Sequence, residues 1–197
     1  MITTKLTLSD YLALGEVYEG RREFVDGDII EMPTESPQNL LISLFLLAQF
    51  LQIVPFQQLR RMDTELVVAR RVRIPDLMVL GEDLAAVLLA SGRSTIMEEM
   101  PAPLLAVEVV SPGKANEDRD YRFKRSEYAA RGIPEYWIVD PARAMVTVLM
   151  LVDGLYEVVE YGGGDSLQDD KGDRVVSALF PQLNLTVEQV LQAGGNP

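Results

Sequence analysis

Two acids stand inside otherwise apolar stretches of this chain. Asp76 lies in Ile74-Pro75-Asp76-Leu77-Met78-Val79, and Glu108 lies in Ala106-Val107-Glu108-Val109-Val110. Both stretches are short, rich in Val and Leu, and bounded by Pro or Gly, so they read as buried strands. A buried carboxylate needs a cation, a proton or a salt-bridge partner, because burying it alone is costly. Neighbouring strands lie about 4.8 Å apart, so two carboxylates at matching heights can share one divalent cation. The cation offsets both charges and acidifies a bound water. Lys124 supplies a third group. It falls at i+4 from Asp120 and i−4 from Tyr128 in the charged segment Glu117–Arg131, so the three share a helix face. An ammonium aimed back at the strands would stabilise an attacking hydroxide or the charge developing on phosphorus. Each residue also has a purely structural role open to it. Asp76 can serve the turn after Pro75, Glu108 can form a buried salt bridge with Lys124 itself, and Lys124 can be a solvated charge. Their co-occurrence favours chemistry.

The elements around these residues form a crossover unit. The apolar run Leu104–Val110 is followed by the helical pattern Glu117–Arg131, which Gly132 and Pro134 end. Tyr136-Trp137-Ile138-Val139 is then a second strand, closed by Asp140-Pro141. Strand, helix and strand with short connections predict two parallel neighbours. Tyr128, Tyr136 and Trp137 read as core residues of this unit. Upstream, Thr7 to Asp10 predicts a capped short helix reaching about Gly15. Glu23–Val25 and Asp28–Met32 predict an N-terminal β-hairpin around Asp26-Gly27. Gln38 to Ile53 predicts a mostly buried helix, residues 61–72 an extended segment, Pro75–Leu80 a strand, and 83–89 a short helix. Downstream, 144–151 and 155–161 predict a hairpin around Asp153-Gly154, 162–172 an acidic loop, and 186–192 a last short helix. No repeat or linker divides the chain, so residues 1–197 are expected to form a single domain.

Composition narrows the chemistry. The 197 residues include no Cys and no His. Disulfides, thiol nucleophiles, Ser-His-Asp catalysis and ordinary zinc sites are excluded. Carboxylates, Lys, Arg, Tyr and hydroxyls remain, a set that suits a hard, oxygen-liking cation such as Mg²⁺ or Mn²⁺. No run is apolar enough to span a membrane, and the N-terminus has no signal-peptide pattern, so a cytoplasmic location is the expectation. The net charge of −12 argues against indiscriminate nucleic-acid binding. It is uneven, however. Asp153–Pro197 holds eight acids and two bases, whereas Arg60, Arg61, Arg70, Arg71 and Arg73 face only Asp63 and Glu65, a local +3.

The pattern Pro75-Asp76, Glu108-Val109-Val110-Ser111-Pro112, Asp120, Lys124, Tyr128, Gly132 and Glu135–Pro141 resembles the Uma-two family of restriction endonucleases. That bacterial family is assigned to the PD-(D/E)XK nuclease superfamily. The resemblance runs from about Asp10 to Leu191 and includes Arg22–Gly27. It implies an α/β fold: a restriction-endonuclease-like mixed β-sheet core flanked by helices, with the N-terminal β-hairpin attached. It implies Asp76 and Glu108 as ligands of Mg²⁺ or Mn²⁺ and Glu23 as an additional acid, although Glu23 also reads as a surface acid before the Asp26-Gly27 turn; beside the two carboxylates, the Val109 carbonyl is the candidate third ligand. It implies that Lys124 replaces a lysine that the superfamily places at the position of Val110. Members carry a histidine early in the first long helix; here Asn39 occupies that place. The expected activity is metal-dependent hydrolysis of DNA phosphodiester bonds by a homodimer, with the Arg60–Arg73 strip and the Lys124 helix facing DNA. The rival expectation is a weak or inactive nuclease-fold module that binds a protein or oligomerises. A hydrolase of small phosphate esters is a third, without a phosphate-binding loop to support it.

Overall fold

The computed structural model describes residues 5–14, 20–162 and 174–193. Helix α1 (Leu8–Ala13) precedes the hairpin of β1 (Arg22–Val25) and β2 (Asp28–Glu31), and helix α2 (Pro37–Phe50) follows. Next come β3 (Leu59–Arg60), β4 (Glu65–Val68), β5 (Arg71–Arg73), β6 (Leu77–Val79), α3 (Glu82–Ser91), β7 (Thr95–Ile96) and β8 (Leu105–Val109). A long helical segment then runs as α4 (Lys114–Asp118), a π-helical turn (Arg119–Lys124) and α5 (Arg125–Arg131). The chain continues with β9 (Glu135–Asp140), β10 (Met145–Val152), β11 (Leu155–Gly162), β12 (Arg174–Val175), β13 (Leu185–Thr186) and α6 (Val187–Gln192).

The caps follow the sequence. Thr7 and Asp10 form a reciprocal capping box on α1, and Thr186 and Gln189 form one on α6. Ser36 caps α2, with Pro37 in its first turn. The β1–β2 hairpin turns through Asp26 (φ 52°) and Gly27 (φ 91°), the left-handed pair that a two-residue turn requires.

Six strands in the order β11-β10-β9-β8-β6-β3 make the larger sheet. β8 and β9 pair in parallel, as the crossover predicts, and the other pairings are antiparallel. Side chains alternate across β8. Leu105, Val107 and Val109 join a core with Ile42, Leu46 and Phe50 of α2 and Val187 and Val190 of α6. Ala106 and Val110 join the opposite core with Tyr128 of α5 and Leu84 and Leu88 of α3. Tyr136 and Trp137 are fully buried.

Two expectations need correction. Residues 61–72 are not one extended segment, because β4 and β5 fold back on each other through Ala69 (φ 46°) and Arg70 (φ 62°). Neither residue is Gly, Asn or Asp, so the sequence carries no turn signal there. This hairpin joins β1 and β2 in a second sheet, β2-β1-β5-β4-β7. The second correction is α2. It is not mostly buried: Ile42, Leu46 and Phe50 are inside, while Leu40, Leu41, Leu44 and Leu51 are exposed. The acidic loop expected at 162–172 lies outside the described residues, save for Gly162 at the end of β11.

Candidate active site

The pairing of β6 with β8 matches Leu77 to Val107, Met78 to Ala106 and Val79 to Leu105. One step further along this antiparallel register, Asp76 stands opposite Glu108. Asp76 is locked there, because the Val109 N–H donates to its Oδ2 at 2.7 Å. Met78, two residues from Asp76, and Ala106 and Val110, two from Glu108, all lie in the core under α5. Both carboxylates therefore face the helix that carries Lys124.

That helix delivers its groups through the π turn. Lys124 Nζ lies 2.8 Å from Glu108 Oε2, 3.4 Å from Asp120 Oδ1 and 3.6 Å from Glu23 Oε1. An α-helix advances 400° over four residues, which offsets i and i+4 by about 40°. Asp120 and Lys124, four residues apart in the π turn, are both buried. Tyr136 Oη donates to the Asp120 carbonyl at 3.0 Å, satisfying a buried acceptor in the irregular turn. Tyr128 Oη donates to Glu108 Oε1 at 2.6 Å. Both Glu108 oxygens are thus engaged, by a phenol and an ammonium.

Glu23 does reach the site, and it brings with it a network that sequence reasoning missed. Arg73 donates to Glu23 Oε2 at 2.7 Å and to Glu127 of α5 at 2.7 and 2.8 Å. All three are buried. Arg71 joins the same Glu127 at 2.7 Å and also pairs with Asp26. The sequence carried no local signal for it, because arginines alternating with Val72 and Ile74 read as an exposed face. The expectation that Arg71 and Arg73 face DNA is overturned, since Arg73 is spent on the buried Glu23 and Glu127, and Arg71 on the buried Glu127 and the exposed Asp26. Arg60 donates to the Gln57 and Leu59 carbonyls and Arg61 to Ser43; Arg70 is exposed. Asn39 is buried at the start of α2. Its Nδ2 lies 3.2 Å from Ser111 Oγ and 3.4 Å from the Val109 and Val110 carbonyls. It ties α2 to the end of β8.

The electrostatics are those of crowded, dry carboxylates. Burial pushes the Asp76 carboxyl up to about 6, against the pull of Lys124 and the Val109 N–H. Burial also pushes Glu108 up to about 8, again against Lys124 and with Asp76 and Asp120 adding to the rise. Lys124 is held above its ordinary value: burial alone would lower it, but Glu108, Glu23 and Asp120 outweigh that. Glu23 goes the other way, lowered by Lys124 and Arg73 despite burial. Among the described residues, no group of three or more Asp or Glu side chains is gathered closely enough to hold a metal. The oxygen donors on hand for a hard cation are the Asp76 and Glu108 carboxylates and the Val109 carbonyl. Asp76 Oδ1 makes no hydrogen bond to the described residues, and the two raised carboxyls are the charge that a cation would offset.

None of the curated proteins matches this chain. Among solved structures, the crystal structure of "a putative nuclease belonging to DUF820" from Anabaena variabilis ATCC 29413 is similar, with a TM-score of 0.67 at 18% identity. The match covers 96% of this chain and 99% of that one, so the two share a fold. The model of the Uma2 family, described as "Putative restriction endonuclease", matches residues 8–188. The chain therefore belongs to the Uma2 family and has its nuclease-like α/β fold.

Proposed function

We propose that this protein is a divalent-cation-dependent nuclease that hydrolyses DNA phosphodiester bonds at the Asp76–Glu108–Lys124 cluster. The observation that carries the reading is the meeting of two buried carboxylates on paired strands with a buried lysine 2.8 Å from one of them, in a chain of a nuclease family. Asp76, Glu108 and the Val109 carbonyl would hold Mg²⁺ or Mn²⁺. When bound, such a cation polarises the phosphodiester and makes a water more acidic. The chain's own groups do the rest. Lys124 holds a fixed positive charge where negative charge develops on the phosphoryl oxygens. Tyr128 and Asp120 orient Glu108 and Lys124, and Glu23 keeps the ammonium charged. Burial limits water around the cluster, which strengthens each of these interactions.

The test is cleavage of plasmid and single-stranded DNA with Mg²⁺ or Mn²⁺, with Asp76→Asn run beside the wild type. Cleavage by wild type and loss in the variant supports the reading; equal cleavage by both removes the site from it. One observation favours a second reading, in which the cluster is a structural ion-pair network of an inactive module. Both Glu108 oxygens already have protein partners, as a closed salt bridge would. Calorimetric titration with Mn²⁺ separates the two: heat in the wild type and none in Asp76→Asn/Glu108→Gln speaks for the nuclease, and no heat in either for the module.

A further inference from the structure

Lys124 gives the cluster its positive charge but has little left to offer a substrate. An ammonium has three donors, and three carboxylates surround this one: Glu108, Asp120 and Glu23 at 2.8, 3.4 and 3.6 Å. A phosphodiester brings two non-bridging oxygens that share one negative charge. Buried acids repel it unless donors face those oxygens.

Arg119 has such donors. It opens the π turn, directly before Asp120. Its Nε lies 3.2 Å from Asp120 Oδ1, the same oxygen that Lys124 Nζ approaches at 3.4 Å. The two cations therefore meet on one carboxylate oxygen. The Nη1 and Nη2 of Arg119 make no hydrogen bond to the described residues, and neither is sealed from solvent. Its side chain is 25% exposed, against 1% for Asp120 and for Lys124. One end of the guanidinium is thus anchored in the cluster, and the other reaches water.

Arg73 shows the contrast. Its Nε, Nη1 and Nη2 all end on Glu23 and Glu127, in the manner of a closed structural tie. A guanidinium that served Asp120 alone would set two parallel N–H bonds on the carboxylate; Arg119 commits only its Nε. Burial opposes the charge of Arg119, and Asp120, Glu108 and Glu23 outweigh that, so the group belongs electrostatically to the same site. The anchor on Asp120 also orients the two remaining nitrogens before any substrate arrives, which is what makes a donor pair effective where charge develops.

We propose that Arg119 is a further catalytic residue, whose Nη1 and Nη2 hold the non-bridging oxygens of the scissile phosphodiester while Asp120 anchors its Nε. The inference rests on the nuclease reading, which supplies the phosphodiester, and adds to it the group that touches the phosphate.

Plasmid cleavage with Mg²⁺ or Mn²⁺ tests it. At saturating DNA, Arg119→Gln should cleave about 100-fold more slowly than wild type, with its Mn²⁺ affinity and melting temperature close to the wild-type values. Arg119→Lys should recover little, because an ammonium lacks the planar fork. Arg125→Gln removes a charge from the same helical segment, where Arg125 donates to the Tyr156 carbonyl; it is the control and should cleave as wild type does. Guanidinium ion at low concentration should raise cleavage by Arg119→Ala and leave wild type unchanged, a rescue that a residue serving only to hold the turn would not show. If wild type cleaves and Arg119→Gln cleaves as fast, or loses Mn²⁺ binding together with cleavage, the inference is overturned and the nuclease reading stands. If wild type does not cleave, the nuclease reading has failed, and phosphorus nuclear magnetic resonance with inorganic phosphate and Mg²⁺ decides on Arg119 alone. Phosphate binding that weakens about tenfold in Arg119→Gln then supports the contact; equal binding, or none in the wild type, overturns it.

Discussion

At the scale of single residues, the buried carboxyls make the site's charge a function of pH. Asp76 and Glu108 are pushed up to about 6 and about 8, first by burial. A carboxyl with a raised folded-state value binds its proton more tightly when folded, so its contribution to stability is complete below the unfolded value and is lost as pH rises through the folded one. The cation-free protein should therefore lose stability from about pH 4 to about pH 8. Melting followed by calorimetry across this range should show the fall in wild type and a flatter profile in Asp76→Asn/Glu108→Gln. Added Mn²⁺ should recover the loss at pH 8 in the wild type, because a cation binds the ionised carboxylates. A wild-type profile parallel to the variant's would remove these two groups as its cause. Lys124 invites a different substitution. Lys124→Met leaves Asp120, Glu23 and Glu108 facing one another without their shared cation, so it should abolish cleavage and lower stability together. Val110→Lys restores a charge on the Glu108 side of β8, but Val110 is buried against Tyr128 and its neighbours. The double mutant is expected to melt lower still, and recovered cleavage in it would show that the position of the charge matters more than its origin.

At the scale of elements, Arg73 is the tie between β5, β1 and α5. Breaking a buried pair by removing one partner leaves uncompensated charge and costs about 3–5 kcal/mol. Arg73→Met strips the guanidinium from Glu23 and Glu127 at once, so urea unfolding should show a loss of at least that order. Arg73→Lys should recover only a part, since an ammonium cannot bridge two carboxylates with a planar fork. A loss below about 1 kcal/mol in Arg73→Met would mean that the network adds little to holding α5 on the second sheet. This tie was illegible in the sequence for a definite reason. The alternation Arg71-Val72-Arg73-Ile74 sets Arg73 on the polar side of β5, which reads as solvent-facing, and its partners lie 50 and 54 residues away. The local patterns were readable where they are self-contained. Asp26-Gly27 and Asp153-Gly154 announced their hairpins, and the apolar run, charged helix and apolar run announced the parallel β8–β9 pair. The pairing of β6 with β8, which sets Asp76 beside Glu108, came only from the expectation that two buried acids must share something. The π turn was invisible, because one wider turn scarcely alters the spacing of apolar residues over a helix of this length. So was the β4–β5 turn, whose left-handed residues are Ala and Arg.

At the scale of the whole molecule, the proposed substrate must approach a chain of −12. With Arg71 and Arg73 turned inward, the cations left near the site lie on the helical segment that carries Lys124. Lys114 is exposed at its start, and Arg122 is exposed about two turns beyond, its one ion pair among the described residues being with Asp118 at 3.3 Å. Exposed pairs of this kind are weak and exchange readily for a phosphate. The field of the rest of the molecule opposes binding, so the attraction is local and screened within about 10 Å at 0.1 M salt. DNA affinity measured by fluorescence anisotropy should therefore be modest and should fall steeply as salt rises. Lys114→Glu/Arg122→Glu should reduce it at least tenfold at low salt and flatten its dependence on log salt by about two phosphate contacts. Arg60→Gln and Arg61→Gln should do much less, because those guanidinium groups already serve Gln57, Leu59 and Ser43. Undiminished binding by the Lys114/Arg122 variant would place DNA on another face and separate the bound strand from Lys124.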